Sequence, residues 1–262
     1  MREIADALLP LLEAEASKAE RGPRTIFISG AQGIGKSTAL ARALKRLNVP
    51  AIGLGIDDFS LPKTARQRLA RDVHPLFETR GPPGTHDIPL LTDTLCLLQA
   101  AEPGMQIALP RFSKRADDRQ AEPHWLALPA RPKLILLEGW LMGVAPDAAS
   151  PDDVPLNRVE AEDTQGDWRR YQEDQLVGPY RRLWDMADSF IHIEAPGFET
   201  VLGWRLEQEA ANLGKPPGTL SANEAAWVER FIQHYERLTR RLLTGQRQDG
   251  AAIKVGAGRM AE

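Results

Sequence analysis

Among 262 residues there is a single cysteine. That excludes an intramolecular disulfide and a cysteine-based metal cluster. Cys96 itself lies in the apolar helical pattern LTDTLCLLQAA, which predicts a core position. No apolar run approaches the roughly 20 residues needed to span a bilayer. The opening stretch, MREIADALLPLLEAEASKAERG, is acidic and amphipathic. It has neither the long apolar segment of a secretory leader nor the acid-poor character of a transit peptide, so a cytoplasmic location is expected. Strong charge of one sign is missing as well. A formal net charge of -3 supplies no global field for nucleic acid or an anionic membrane, and neither is an expected partner, although Arg outnumbers Lys. Repeats and low-complexity tracts are also lacking. What remains, 42% hydrophobic and 26% charged, is the composition of a soluble globular protein, expected to form one domain over residues 1–262.

Short β-branched or aliphatic runs alternate with longer helical patterns. The runs are Thr25–Ser29, Ala51–Ile56, Leu134–Leu137, Phe190–Ile193 and Ala252–Val255, and their continuous apolar character suits strands buried on both faces. Between them, Lys36–Leu47, Leu90–Ala101, Trp168–Asp185, Glu199–Ala211 and Ser221–Leu243 carry apolar residues every three or four positions, and residues 1–22 begin the chain with a further helix. Ser221 and Glu224 form an S-x-x-E capping box ahead of the face bearing Trp227, Phe231 and Tyr235. Such alternation predicts an α/β fold with a central, mainly parallel sheet between helical layers. Thr79–Asp87 and Ala145–Pro155 are long enough to be binding loops, and Leu213–Ser221 is a candidate lid tip between two helices.

FISGAQGIGKST contains a complete G-x-x-x-x-G-K-S running from Gly30 to Ser37, after an expected strand and opening an expected helix. Its glycines let the backbone wrap a phosphate while amide groups point at the anion. Gly30, Ala31, Gln32, Gly33, Ile34, Gly35, Lys36, Ser37 and Thr38 are therefore the candidate ATP-binding residues. Lys36 is positioned to reach the β- and γ-phosphates, and the Ser37 hydroxyl to ligate Mg²⁺. Ligands of such sheets bind beyond the carboxyl ends of the strands. In GLGIDDF, Asp57 and Asp58 follow the second run, so they are expected to face the γ-phosphate, one as base for an incoming hydroxyl and the other beside hydrated Mg²⁺. Glu138 ends the third run in LILLEGW, where an ATPase would usually carry aspartate; it is a candidate for contact with Mg²⁺ or for steadying the base.

The P-loop, DDF, RGPPGTHDIPL, LPRFSKRADDR, LLEGW and RFIQHYERL together resemble the D-glycerate 3-kinase family, relatives of the uridine, phosphoribulose and pantothenate kinases. The resemblance covers Thr25 to about Leu243. It implies a P-loop NTPase three-layer αβα sandwich with a helical lid, placed near residues 205–221, and ATP with Mg²⁺ as cofactors. It points to Asp57 as the base, to Asp58, Arg80, His86, Asp87, Arg111 and Lys114 as residues around the acceptor, and to Arg205 as a lid arginine joining Lys36 and Glu138 in catalysis. A small anionic acceptor agrees with this set, because arginine grips a carboxylate through two parallel hydrogen bonds. The chain departs from the family pattern at Ser60, where tyrosine is expected, and FSKRADDR lacks the usual tyrosine and glycine. A kinase of another acceptor, a P-loop ATPase acting as a nucleotide-dependent switch and an inactive regulatory relative are the alternatives. The absence of an N-K-x-D guanine motif and of the Walker-B aspartate counts against the switch.

Overall fold

The computed structural model describes residues 2–20 and 22–262. All five expected strands form: β1 (Arg24–Gly30), β2 (Ala51–Gly55), β3 (Leu134–Gly139), β4 (Ser189–Glu194) and β5 (Ala251–Lys254). They make one sheet in the order β5-β4-β1-β3-β2 with every neighbouring pair parallel. The helices are α1 (Ile4–Ser17), α2 (Lys36–Leu44), α3 (Lys63–Asp72), α4 (Ile88–Gln99), α5 (Arg158–Glu162), α6 (Asp167–Gln175), α7 (Arg181–Trp184), α8 (Phe198–Asn212), α9 (Ala222–Gln233) and α10 (Glu236–Leu243).

Strand alternation sets the layers. Thr25 and Phe27 of β1 face one side, where Gln99 of α4 donates to Thr25 Oγ1 at 3.0 Å and Trp184 of α7 meets the Phe27 ring edge-on at 6.0 Å. Ile26 shares a row with Leu136 and Gly53 on the other side. There α2 packs so closely that a Cβ on Gly53 would stand 2.8 Å from Leu44 Cδ1. Helices on both faces of a parallel sheet bury β1 and β3 almost completely, which accounts for their unbroken apolar sequence. Antiparallel pairing of Arg2–Glu3 with Met260–Ala261 brings the two ends of the described chain together. No helix among the described residues is long and apolar enough to cross a membrane.

The structure corrects several expectations. Cys96 is exposed: α4 buries Leu91, Thr94, Leu95 and Leu98, while Cys96 and Leu97 lie on its outer side. Ser221–Leu243 is two helices rather than one. The capping box forms, but the helix breaks at His234–Tyr235, where the Tyr235 hydroxyl donates to the Arg80 carbonyl at 2.6 Å and its ring abuts Trp140. Trp168–Asp185 is interrupted by a π-helical turn at Leu176–Tyr180 that contains Pro179. Helix α3 was not legible as an apolar pattern because its most buried side chain is a charged one, Arg66. Two small hairpins, Gln106–Leu109 with His124–Ala127 and Phe112–Ser113 with Asp118–Arg119, also escaped the periodicity. The 145–155 loop, expected as a binding loop, is tied down by Arg169 and Arg237 at Asp153 and lines no part of the main cleft.

Candidate active site

After β1 the chain turns through residues 31–35 into α2, with Gly33 and Gly35 at φ of +75° and +100°. Only glycine adopts such angles freely. Gly33 meets a second demand, since a Cβ there would lie 2.9 Å from Cβ of Trp204, so α8 can approach the loop only over a glycine. The N-terminus of α2 opens on a cleft of about 630 Å³ whose wall includes Gln32, Gly33, Ile34, Gly35, Lys36, Ser37 and Thr38. Gly30 and Ala31 are buried behind it. The Lys36 ammonium donates to the Ala31 carbonyl at 3.1 Å. Enclosure lowers its pKa and Lys114 adds to this, against the opposing pull of Glu138 and Asp57.

Sheet register delivers the acids. Glu138 pairs across with Ile28 of β1 and Gly55 of β2, and Asp57 follows two residues beyond Gly55, so both strand ends meet at the mouth of the phosphate loop. Ser37 Oγ donates to Glu138 Oε1 at 2.5 Å. Asp57 lines the cleft with its side chain about 52% exposed and Lys114 Nζ 3.3 Å from its carboxylate. Enclosure opposes its ionisation, but Lys114, His86, Lys36 and Arg80 together hold its pKa below the usual carboxylate value.

These surroundings fit a magnesium–nucleotide complex. The buried Gln32 amide has neither its nitrogen nor its oxygen hydrogen-bonded, in a wall that also carries Lys36, Arg80, Lys114 and Arg205. Ser37 and Glu138 offer adjacent oxygen donors, the ligand type Mg²⁺ takes. No group of three or more His, Cys, Asp or Glu that could cage a metal occurs among the described residues. That agrees with a cation held mainly by phosphate and water.

Of the six residues expected around the acceptor, the cleft wall includes Arg80 and Lys114 but not Asp58, His86, Asp87 or Arg111. Each of the four has another partner. Asp58 accepts from Arg111 at 3.0 Å and from the Phe112 amide at 3.1 Å. Asp87 caps α4 through the Leu90 amide and pairs with Arg119 at 3.1 Å. These bonds anchor both strands of the Phe112–Arg119 hairpin, the element that carries Lys114 to Asp57. His86 is buried, with Nδ1 2.6 Å from the Tyr180 hydroxyl. That hydroxyl also accepts from the Gly84 amide, and Nε2 of the ring has no partner. Burial pushes the His86 pKa down to about 4 despite the pull of Asp57.

No family model matches the chain. The kinase mug58 of Schizosaccharomyces pombe is 30% identical over 248 residues, spanning 88% of this chain and 85% of that protein. The chloroplastic D-glycerate 3-kinase of Arabidopsis thaliana is 29% identical over 82% of this chain, which covers only 47% of the plant protein. The chain belongs to the same kinase family as mug58, and the D-glycerate 3-kinase of Arabidopsis is a further homologue. Among solved structures, a D-glycerate 3-kinase from Cryptococcus neoformans superposes over 100% of this chain and 98% of its own, with a TM-score of 0.80 at 22% identity, and supports the fold. As a member of this kinase family, the chain is an ATP-dependent phosphotransferase acting on an alcohol group of a small molecule.

For a family member of this kind, several cleft residues were not singled out in the sequence. Trp140, Phe231 and Tyr235 line the wall beside Arg80 and Gly81. A Cβ on Gly81, at φ +102°, would stand 2.6 Å from the Tyr235 ring, so the loop and the tyrosine interlock. The i, i+4, i+8 spacing of Trp227, Phe231 and Tyr235 was visible, but nothing local told that this face turns toward the cleft. Asp117 is another. Its carboxylate bridges Arg80 and the fully buried Arg66, from a backbone φ of +51°. Arg205 is buried at the cleft wall with Nη1 2.9 Å from Glu209.

Proposed function

We propose that the chain transfers the γ-phosphoryl group of ATP to a hydroxyl of D-glycerate or a similar small hydroxy acid. One observation carries this reading: Asp57, Lys36 and the guanidinium groups of Arg80 and Arg205 share a single cleft with the phosphate loop. The acceptor oxygen bonds to the γ-phosphorus as the bond to the β,γ-bridging oxygen breaks; ADP leaves and the hydroxyl proton passes to the Asp57 carboxylate. A pKa held below the usual range makes Asp57 a weak base, so it acts more by orienting the hydroxyl than by removing its proton early. That suits a loose phosphoryl transition state, in which positioning and charge neutralisation dominate.

Lys36 holds the β- and γ-phosphates, and Ser37 with Glu138 would hold Mg²⁺, which would supply neutralisation of phosphate charge. Arg80 grips the acceptor carboxylate, and Lys114 moves its charge between Asp57 and the incoming anion. Arg205 lies on the transferring group, with the α8–α9 hairpin and its 213–221 tip as the lid; Lys215 and Glu224 staple that tip at 2.6 Å. The name of the Arabidopsis relative supports the choice of acceptor. Coupled ADP release with D-glycerate, uridine, pantothenate and ribulose 5-phosphate tests it. Turnover with D-glycerate is expected; turnover confined to the nucleoside would remove the hydroxy acid.

A further inference from the structure

Two like charges converge on one ring in the cleft wall. The Arg80 guanidinium, from the loop after the Pro75–Glu78 turn, lies 5.6 Å from the centroid of Phe231, and that of Arg205, from α8, lies 5.3 Å from the same centroid. Phe231 is a cleft-lining residue of α9, backed by a stacked Trp227 at 5.3 Å and followed by Tyr235 at 5.1 Å. Neither arginine is otherwise fully engaged. Arg80 spends Nη1 on Asp117 and rests against Phe112 at 5.4 Å, leaving its Nε and Nη2 without a hydrogen-bonding partner among the described residues. Arg205 has Glu209 within 2.9 Å, yet the buried Nη1 makes no aligned hydrogen bond.

Asp117 beside Arg80 and Glu209 beside Arg205 offset part of the repulsion between the two guanidinium groups, and an anion bound before them would offset the rest. The negative face of the aromatic ring holds the cations while leaving free the N–H groups that these carboxylates do not occupy. We propose that Phe231 is a positioning residue that sets Arg80 and Arg205 jointly, so that the acceptor carboxylate on the Arg80 side and the moving phosphoryl group on the Arg205 side are registered by one surface. This rests on the acceptor reading above. Trp227 fixes the ring's tilt from the solvent side, and the capping box of α9 fixes the helix that bears both.

The test is steady-state kinetics of the full chain with MgATP and D-glycerate. Phe231→Leu removes the π face; it should raise the acceptor KM and lower kcat, each by about tenfold, with the ATP KM nearly unchanged. Phe231→Tyr, which keeps the face, should restore both constants to near wild type. In an Arg205→Ala background the kcat cost of Phe231→Leu should largely vanish, whereas a residue that merely fills space would cost the same in either background. Equal costs in the two backgrounds, or wild-type constants in folded Phe231→Leu, overturn the proposal. Should that variant fail to fold, Phe231→Met fills the space without a ring and carries the same expectation. If the wild type does not turn over D-glycerate, the acceptor assignment fails by itself. The cycle is then read on basal ATP hydrolysis, where Phe231→Leu must slow the wild type but not Arg205→Ala.

Discussion

The two sides of the cleft are built in different ways. The phosphate side is one contiguous segment, Gly30–Thr38, whose shape follows from two positive-φ glycines and the start of a helix. The side proposed to receive the acceptor is assembled from four separate stretches: Asp57 after β2, Arg80 on a loop, Lys114 on a hairpin, and Arg205 with Phe231 on a helical pair. A local motif tolerates change elsewhere, whereas an assembled wall depends also on side chains outside its lining. Asp58, Asp87 and Asp117 are of that second kind, since their carboxylates tie the hairpin and Arg80 in place.

The sharpest way to break this contrast is at Asp57. Asp57→Asn should lower kcat by roughly 10² to 10⁴-fold with ATP affinity retained, measured by single-turnover kinetics and nucleotide titration. A greater loss from Asp58→Asn would exchange the roles of the two acids and make the anchor the base. Next comes Arg80→Lys, which keeps the charge but loses the planar fork. The acceptor KM should rise on the order of 10- to 100-fold with little change in the ATP KM, and an equal rise in both would place Arg80 on the nucleotide instead.

Protonation acts on the fold behind the cleft rather than on its lining. Burial lowers the pKa of His86, His192 and His234 to about 4 each, below the value of about 6.5 expected for an unfolded chain. The unfolded state therefore binds more protons between these limits, and stability that is complete above pH 6.5 is lost as pH falls toward 4. Within that window each histidine contributes a slope of up to about 1.4 kcal/mol per pH unit. Denaturant midpoints at pH 7 and pH 5 should show the loss, and His86→Gln should reduce it; a flat profile would mean that these rings are not buried in neutral form. The smallest effect is expected at Asp87. Asp87→Ala removes the α4 cap and the Arg119 pair, costing about 1 kcal/mol by thermal denaturation, and loosening of the Lys114 hairpin should change kcat and acceptor KM by no more than a few-fold. A rise in acceptor KM on the scale expected for Arg80→Lys would return Asp87 to the ligand.

Legibility in the sequence followed the range of the interactions. Five strands and most helices were readable because burial on a sheet face or helix stripe repeats every two or about 3.6 residues. The π-helical turn at Leu176–Tyr180 and the break at Tyr235 were not, because contacts with Gly84, His86 and Arg80 decide them. Cys96 was misplaced for a related reason: apolar residues continue around α4, and only packing distinguishes its inner side from its outer one.

By itself the sequence determined the phosphate loop, since glycine spacing, Lys36 and Ser37 act within one turn of chain, and it determined the alternation that makes a parallel sheet. Tertiary structure alone decided which charges face the cleft. Asp57 and Asp58 are neighbours in sequence, yet one lines the cleft while the other holds a hairpin. Arg80, Arg205 and Phe231 meet although residues 80 and 231 are far apart in the chain. The reason is that a side chain's charge and shape are local properties, whereas its partner is chosen by packing between elements that have no sequence relation to one another.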